Sequence, residues 1–331
     1  MKDRLFPPLL AAIAITGCLP LPHAVSAPTE IWNVSSRADS AVELPSGCSA
    51  LVDAWIALDT ISMRPFPLRS REARRLAGDR GRCDLARRVS AVTSFQGARY
   101  HPETVRAMGE SPDVLSRAAA AIARMATAAP TRGVLIDFQD MSGEDLPTLM
   151  NVSRAIADSA RALSQEPVGM IIPAADSSGY PGRILGRVAD ILLVKIFPEH
   201  GLGTPAGPIV SPPWFARQLG TRAGEVGVNR VVAGIPADGV LWSARNGARR
   251  ISYADALGLA ESANTPVVRD PASGNLHAVS TRDGWELWVS DNELILRLIA
   301  DGRRIGVTRF ALFGLAGADP KLLESLPQPV R

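Results

Sequence analysis

The sequence contains few of the residues that bind metal ions. It has 3 cysteines and 4 histidines among 331 residues, and the histidines are scattered without the spacing that metal ligands show. The sequence therefore predicts no metal site, and we expect no bound cofactor.

Lysine is also scarce, because it occurs only at positions 2, 195 and 321 and arginine carries almost all of the positive charge. The formal net charge is +3 and the isoelectric point is near 9.0. The arginines lie in scattered groups such as RSREARR and RNGARR, without the interleaved aromatic residues that stack on nucleotide bases. We interpret the basic character as a solvated surface and expect no nucleic-acid partner.

Long apolar runs are missing from the sequence after its first residues. The chain begins with MKDR, followed by the apolar run LFPPLLAAIAITGC, which is too short to span a membrane and is typical of a signal peptide. We predict that residues 1–27 form this signal and that the protein is exported.

Residues 15–18, ITGC, resemble a bacterial lipobox, in which the cysteine becomes the lipidated first residue of the mature protein. This motif predicts lipidation of Cys18 and a membrane-anchored lipoprotein of a bacterium, with the membrane as a partner through the lipid anchor. The alternative is an ordinary signal peptide cut near HAVSA, which would discard Cys18 and release a periplasmic protein.

Two cysteines, Cys48 and Cys83, follow the signal. An even number of cysteines in an oxidising compartment favours a disulfide. The bond would close a loop of 35 residues and stabilise the fold by about 3–4 kcal/mol. The alternative is a pair of buried free thiols.

Beyond the signal, short apolar runs rich in β-forming residues alternate with amphipathic stretches of helical periodicity. Several runs are apolar on both faces, which is typical of parallel strands covered by helices. Eight such runs predict a single domain over residues 28–331 with an α/β fold, a (β/α)8 TIM barrel. The runs are EIWNVS, LVDAWIAL, VSAVTSF, GVLIDF, VGMII, ADILLVKIF, RVVAGIP and GVTRFALFGL.

One interval, at about residues 238–290, is too long for a simple loop between a strand and a helix. It contains a short helical stretch, SYADALGLAES, and extended pieces such as GWELWVSD. We predict a small α+β insertion between the seventh strand and the last helix, on the C-terminal face where the active sites of such barrels lie.

The stretch RGVLIDFQDM, residues 132–141, carries polar side chains at the end of its strand. Residues two apart in a strand share a face, so Leu135, Asp137 and Gln139 point to one side. Polar groups inside a barrel are costly unless they serve chemistry or a hydrogen-bond network. Asp137 and Gln139 are therefore candidate site residues, the alternative being that they bind loop amides.

This stretch resembles the D-G-x-D-x-D-x-E strand of family 18 glycoside hydrolases, the chitinase-like barrels. ADILLVKIFPEHGLGTPAGPIVSPPWF is similar to the sixth strand and its loop, VVAGIPADGVLW to the seventh strand, and GVTRFALFGLAGADP to the closing strand. The insertion, with DPASGN, is similar as well. The resemblance covers roughly residues 50–325 and is greatest to domains of spore-cortex lytic enzymes and of polysaccharide deacetylase fusions.

The resemblance implies a mechanism in which the substrate's own N-acetyl oxygen attacks the anomeric carbon. Asp137 would orient that acetamide, and Gln139 stands where the family has the glutamate that protonates the leaving oxygen. Glutamine has nearly the shape of glutamate but no proton to release. Since general acid catalysis contributes roughly 10²- to 10⁴-fold in rate, we expect little or no hydrolysis.

Other positions also depart from the family pattern. Arg132 and Leu135 replace the first two aspartates of the motif, Phe197 replaces a tyrosine that holds the acetamide oxygen, and Phe313 replaces the tryptophan under the sugar. The resemblance thus implies a cleft that keeps apolar platforms and has lost its reactive groups.

Four further residues are candidates for substrate binding. Glu199 and His200 match the E-H pair of the sixth-strand motif and are expected at the cleft rim, where they either contact substrate or fix their loop. Trp242 and Trp288 either stack on sugar faces or pack in the core of the insertion.

We therefore expect an exported, non-hydrolytic protein that binds an N-acetylated glycan, peptidoglycan or a poly-N-acetylglucosamine polysaccharide, in the cell envelope. Two alternatives stay open. One is an active glycosidase with Glu199 or Asp140 as a substitute acid, and the other is an envelope assembly scaffold with a vestigial cleft.

Overall fold

The computed structural model describes residues 28–35, 49–68, 87–97, 99–128, 131 and 133–326. The predicted signal peptide with Cys18, the Cys48–Cys83 disulfide and the substitution at Arg132 lie outside the described residues, so they stay predictions.

The described chain contains sixteen strands and eight α-helices. The strands are β1 (Glu30–Val34), β2 (Ala50–Leu58), β3 (Pro65–Pro67), β4 (Arg87–Thr93), β5 (Phe95–Gln96), β6 (Arg99–Tyr100), β7 (Gly133–Asp137), β8 (Val168–Pro173), β9 (Ile191–Lys195), β10 (Val231–Pro236), β11 (Gly239–Ser243), β12 (Gly247–Ile251), β13 (Val268–Arg269), β14 (Leu276–Ser280), β15 (Trp285–Val289) and β16 (Arg309–Phe313). The helices are α1 (Pro102–Glu110), α2 (Pro112–Ala126), α3 (Leu146–Arg161), α4 (Gly182–Leu185), α5 (Pro212–Val226), α6 (Tyr253–Ser262), α7 (Asn292–Ile305) and α8 (Pro320–Ser325).

Eight parallel strands close into a barrel. Their order is β1-β16-β10-β9-β8-β7-β4-β2, and pairing of β1 with β2 completes the circle. The predicted (β/α)8 barrel is confirmed, with each of the eight apolar runs supplying one strand.

The strands are apolar on both faces because each face meets a separate apolar layer. One layer fills the barrel interior and includes Trp32, Val52, Trp55 and Leu135. A larger layer lies between the strands and the surrounding helices. A β-bulge between Val52 and Ala54 shifts the register of β2, which lets Val52 and Trp55 both point inward although they are three residues apart.

The insertion is a five-stranded antiparallel sheet, in the order β12-β11-β15-β14-β13, together with helix α6. One face of the sheet packs on α6 through Leu241, Leu287 and Ala256. The predicted α+β insertion after the seventh barrel strand is confirmed. A short further helix, α8, follows the helix that the sequence predicts to be last.

Among the helices that the structure describes, none combines the length and the apolar character needed to cross a bilayer.

Helix α4 after β8 has only four residues, and a buried arginine fixes the loop that precedes it. Arg222 of α5 is fully buried, and all five of its N–H groups have acceptors. The acceptors are the carbonyl oxygens of Pro173, Ala174, Asp176 and Tyr180 and the carboxylate of Glu225, at 2.7–3.0 Å. Residues 173–180 are therefore held by α5 rather than by a long helix of their own.

We predict that Arg222→Ala lowers the free energy of unfolding by about 3–5 kcal/mol, because it removes the donor to four carbonyl oxygens and the cationic partner of Glu225. Urea denaturation followed by circular dichroism measures the change. Arg217→Ala, at an exposed position of the same helix, is the matched control and should change stability by less than about 0.5 kcal/mol. Equal effects of the two variants would contradict the role given to Arg222.

Candidate functional site

A buried carboxylate lies at the carboxyl end of β7. Asp137 is 1% exposed. Its Oδ2 accepts hydrogen bonds from Thr93 Oγ1 at 3.1 Å and Tyr100 Oη at 3.2 Å, and its Oδ1 accepts one from Gln139 Nε2 at 3.0 Å. Three neutral donors thus replace the water that a carboxylate loses on burial.

The side chain of Gln139 is turned into the protein. Its Nε2 donates to Asp137 Oδ1 and, at 2.7 Å, to the carbonyl oxygen of Ile171 on β8. Both neighbours are acceptors only, so the nitrogen of the amide must face them. A carboxylate at this position would place an oxygen against two oxygens.

The loop that carries Gln139 is held at both ends. Tyr180 Oη donates to the carbonyl oxygen of Phe138 at 2.8 Å and accepts from the backbone N–H of Met141 at 2.9 Å. Burial raises the pKa of Tyr180 well above its usual range, so the hydroxyl keeps its proton. Since Arg222 holds the backbone of Tyr180, helix α5 fixes the position of Gln139 through this chain of contacts.

The far end of the same loop is fixed by an ion pair. Arg106 of α1 donates to both carboxylate oxygens of Asp145, at 2.6 and 2.8 Å. This hydrogen bonding holds the pKa of Asp145 well below its usual range. The carboxylate of Asp145 also accepts from Ser142, which closes the turn that leads into α3.

A cleft of about 180 Å³ opens above Asp137 at the C-terminal face of the barrel. Its wall combines aromatic rings with a few polar groups. The lining residues are Val34, Ser35, Trp55, Tyr100, Asp137, Ile171, Lys195, Phe197, Arg250, Phe313 and Gly314. Gln139 is not among them, which agrees with its inward-facing amide.

Phe197 and Phe313 form one aromatic wall of the cleft. Their ring centroids are 5.0 Å apart with the planes at 65°, an edge-to-face arrangement. Gly234 on β10, the strand between theirs, makes the contact possible. A Cβ atom there would lie 3.1 Å from Phe313 Cε2 and 2.8 Å from the carbonyl oxygen of Val194.

The insertion supplies the adjoining wall. Val240, Trp242 and Trp288 share one face of its sheet, since Val240 pairs with Trp288. All three belong to the apolar cluster around Phe197. Trp242 and Trp288 are half-buried, so they pack against this cluster and still present ring surface.

Trp288 is also held from the side by a polar pair. Its Nε1 donates to Glu286 Oε1 at 2.7 Å, and His277 stacks on its ring with the centroids 4.0 Å apart. His277 Nε2 lies 3.1 Å from the same Glu286 oxygen. Trp288 therefore has a fixed orientation.

Glu199 and His200 fix their own loop in this structure. Glu199 Oε2 accepts from the backbone N–H of Ser211, the residue that precedes α5, at 2.7 Å. His200 Nδ1 lies 3.3 Å from the carbonyl oxygen of Pro205, and its ring packs against Gly207. Neither residue lines the cleft.

Asp140 is exposed and has a φ of 61°, in the left-handed region. It does not line the cleft either. Of the eight residues predicted for catalysis or substrate binding, the cleft brings together Asp137, Phe197 and Phe313, with Trp242 and Trp288 in the neighbouring wall.

Sequence reasoning missed five residues that the structure brings to Asp137 or to the cleft, namely Trp55, Thr93, Tyr100, Lys195 and Arg250. Lys195 could have been predicted from the sequence as a cleft residue, because it lies two residues before Phe197 in the same run and is one of three lysines in the sequence. Tyr100 lies on the hairpin of β5 and β6, and Arg250 comes from the insertion, so neither has a local signal.

Within the described ranges, no group of three or more histidine, cysteine, aspartate or glutamate residues is arranged to hold a metal ion.

We predict that Gln139→Glu makes stability depend on pH. The new carboxyl would face Asp137 Oδ1 and a carbonyl oxygen, so its pKa in the folded state should be raised. The loss of stability caused by ionisation of this carboxyl is then absent below the unfolded-state pKa, ~4.3, and grows as pH rises above that value. Thermal unfolding should show a loss about 2–3 kcal/mol larger at pH 8 than at pH 4.

Gln139→Met is the matched control for this experiment. It removes the same hydrogen bonds but cannot titrate, so its stability loss relative to the parent should be equal at both pH values. A Gln139→Glu variant whose loss is also independent of pH would show that the side chain at position 139 turns out of the barrel.

Comparisons with known proteins agree on the fold. A search of protein-family models finds none that matches this chain. One curated relative, an uncharacterised glycosylase of Bacillus subtilis called YvbX, is 25% identical over 125 residues, which are 35% of this chain and 36% of the relative. The match therefore spans about a third of that protein's length.

Solved structures match over most of the chain. The spore cortex-lytic enzyme SleL of Bacillus cereus has a TM-score of 0.77 at 13% identity, covering 92% of this chain and 75% of that one. A class V chitinase of Pseudomonas fluorescens has a TM-score of 0.76 at 15% identity, covering 89% and 98%. A chitinase of Chromobacterium violaceum has a TM-score of 0.73 at 16% identity, covering 89% and 97%. At these identities the likeness is one of fold, and the chain has the barrel fold of these chitinase-like structures.

Proposed function

We propose that this protein binds an N-acetylated glycan in the cleft above Asp137 and does not hydrolyse it. The observation that carries the proposal is the pair of hydrogen bonds that the Gln139 amide donates to Asp137 and to the carbonyl oxygen of Ile171. Gln139 occupies the acid position, and an amide cannot act as a general acid.

Hydrolysis of an unactivated glycosidic bond needs a donor for the leaving oxygen, and losing it costs about 10²- to 10⁴-fold in rate. Among the described residues that line the cleft, Asp137 is the sole carboxyl group. Its oxygens accept from Thr93, Tyr100 and Gln139, so it is suited to accept a further N–H from a substrate rather than to donate.

Binding has groups to support it. The edge-to-face pair of Phe197 and Phe313, together with Trp55 in the same cleft, offers the apolar surface on which the CH faces of pyranose rings pack. Asp137 offers an acceptor for the N–H of an acetamide group. This combination favours N-acetylated sugars, which present both features.

The place of action is proposed from the N-terminal signal. An exported protein would meet peptidoglycan or a poly-N-acetylglucosamine polysaccharide in the cell envelope, and a lipid on Cys18 would hold it at a membrane. Mass spectrometry of the mature protein tests this, and an unmodified N-terminus beyond Ala24 would contradict lipidation.

Calorimetric titration with N-acetylglucosamine oligomers, with chromatography of the same samples for released sugars, tests the function. We predict saturable binding without turnover. Asp137→Asn should weaken binding about tenfold, or ~1.4 kcal/mol, because the amide of asparagine has one acceptor oxygen where the carboxylate has two. Asp140→Asn is the matched control, since this exposed residue does not line the cleft and asparagine tolerates its positive φ.

The same samples distinguish the alternatives. Turnover by the parent that Asp140→Asn or Glu199→Gln abolishes would identify an active glycosidase with a substitute acid. No binding by any variant would favour the scaffold.

A gain-of-function series examines the loss of the acid directly. We predict that Gln139→Glu alone yields little hydrolysis, and that adding Phe197→Tyr raises it, because grouped catalytic residues act non-additively. Leu135→Asp is unsuited to the series, since Leu135 is 2% exposed and fills the barrel interior against Gly169. Release of labelled aglycone measures the rates, and no activity in the double variant would show that the pose of the substrate has also been lost.

A further inference from the structure

Two cationic groups line the cleft, and binding of a neutral N-acetylated sugar uses neither. Lys195 is the last residue of β9, and Arg250 reaches in from β12 of the insertion. They come from different units of the fold and meet at the same opening.

Lys195 lies at the aromatic wall. Its Nζ is 5.6 Å from the centroid of the Phe197 ring, within the range of a cation–π contact. The residue is half-buried and lines the cleft. A charge in this setting is screened less by solvent than one on an open surface.

Arg250 lies where the cleft meets a second cavity. Its Nε donates to Asp238 Oδ2 at 2.6 Å, and its Nη2 contacts the same oxygen. These contacts use two of five N–H groups, and the side chain is 49% exposed. Arg250 and Gly314 line both the cleft and an adjoining cavity of about 400 Å³ that also includes Ser252 and Gly317. A ligand that extends from the cleft toward the insertion would therefore pass Arg250.

The charged groups of the cleft come from three parts of the fold. Its negative group, Asp137, lies on β7, while Lys195 lies two strands away on β9 and Arg250 lies in the insertion. Asp238, in the adjoining cavity, offsets part of the charge of Arg250. A ligand that carries both an N–H donor and an anionic group offers a partner to the carboxylate and to the cationic groups of the cleft.

We propose that Lys195 and Arg250 make the cleft selective for an N-acetylated glycan that carries a carboxylate. This inference rests on the proposed function and specifies its ligand class. Guanidinium groups pair with carboxylates through planar hydrogen bonds, and the ammonium of Lys195 adds a point charge nearby. The carboxylate is either the ether-linked lactyl group of a muramic acid residue or the carboxyl of a uronic acid.

The test compares matched ligands on the unmodified protein by calorimetry. The probes are an N-acetylglucosamine tetrasaccharide, an alternating N-acetylglucosamine and N-acetylmuramic acid tetrasaccharide without peptide, and the methyl ester of the latter. We expect the acid to bind about tenfold more tightly than the neutral oligomer at low salt, or ~1.4 kcal/mol. The preference should shrink as salt rises and vanish in the ester. An oligosaccharide of N-acetylglucosamine and glucuronic acid distinguishes the two sources of carboxylate.

Substitutions then test whether the preference for the acidic oligomer depends on Lys195. Lys195→Met should lower the ratio of acidic to neutral affinity severalfold, whereas Lys321→Met, at an exposed position on α8, should leave the ratio as in the parent. Equal affinity of the parent for acid, ester and neutral oligomer would overturn the inference while leaving the proposed function standing. A preference that survives Lys195→Met in full would overturn the role of Lys195. Binding to none of the probes would overturn the proposed function and the inference together, and the ester comparison holds even if a variant fails to fold.

Discussion

The burial of one carboxylate determines how the residues around it are arranged. A charge as buried as that of Asp137 is tolerated only where donors replace its lost water. Three segments provide them: Thr93 ends β4, Tyr100 lies on the hairpin after it, and Gln139 follows β7. Parallel pairing of β4 with β7 places these chain ends side by side. The amide of Gln139 supplies a donor that a carboxylate could not, so the residue that removes the acid from the site also stabilises the charge that remains.

The fold was predictable because its determinants are local. Strands that must be covered on both faces are apolar throughout, and the helices that cover them show a 3.6-residue period, so each unit can be recognised in a short window. The position of Asp137 and Gln139 at the end of β7 follows from the same pattern. The resemblance to chitinase-like barrels added Phe197 and Phe313, which the structure places together in the cleft.

Residues that act across the fold were not predictable in this way. Arg222 has the sequence environment of any helix arginine, yet four of its five hydrogen bonds go to carbonyl oxygens of residues 173–180, and the fifth goes to Glu225 of its own helix. The contact of Phe197 with Phe313 depends on the missing side chain of Gly234, and nothing in the sequence around that glycine indicates it. Arg250 reaches the cleft only because the insertion folds back over the barrel. For the two tryptophans, the alternatives of packing and sugar stacking are compatible, because both side chains pack against the cluster around Phe197 and are only half-buried.

The positions of the other carboxylates decide how a substitute acid could act. Glu199 accepts the backbone N–H of Ser211, where α5 begins and where no side chain of the helix itself provides a cap. The first N–H groups of a helix have no acceptor within the helix. Turning Glu199 toward a substrate would therefore leave the N–H of Ser211 without an acceptor and lower the stability of the fold. Helix α5 also carries Arg222, which holds the backbone of Tyr180, and Tyr180 in turn holds the loop of Gln139. Loosening the first turn of α5 would therefore disturb the same site in which Glu199 would have to act as the acid. Asp140 has a left-handed backbone conformation and is not among the residues that line the cleft. The carboxylate of Glu199 thus holds a loop beside the cleft, and this structural role opposes its recruitment as a new proton donor.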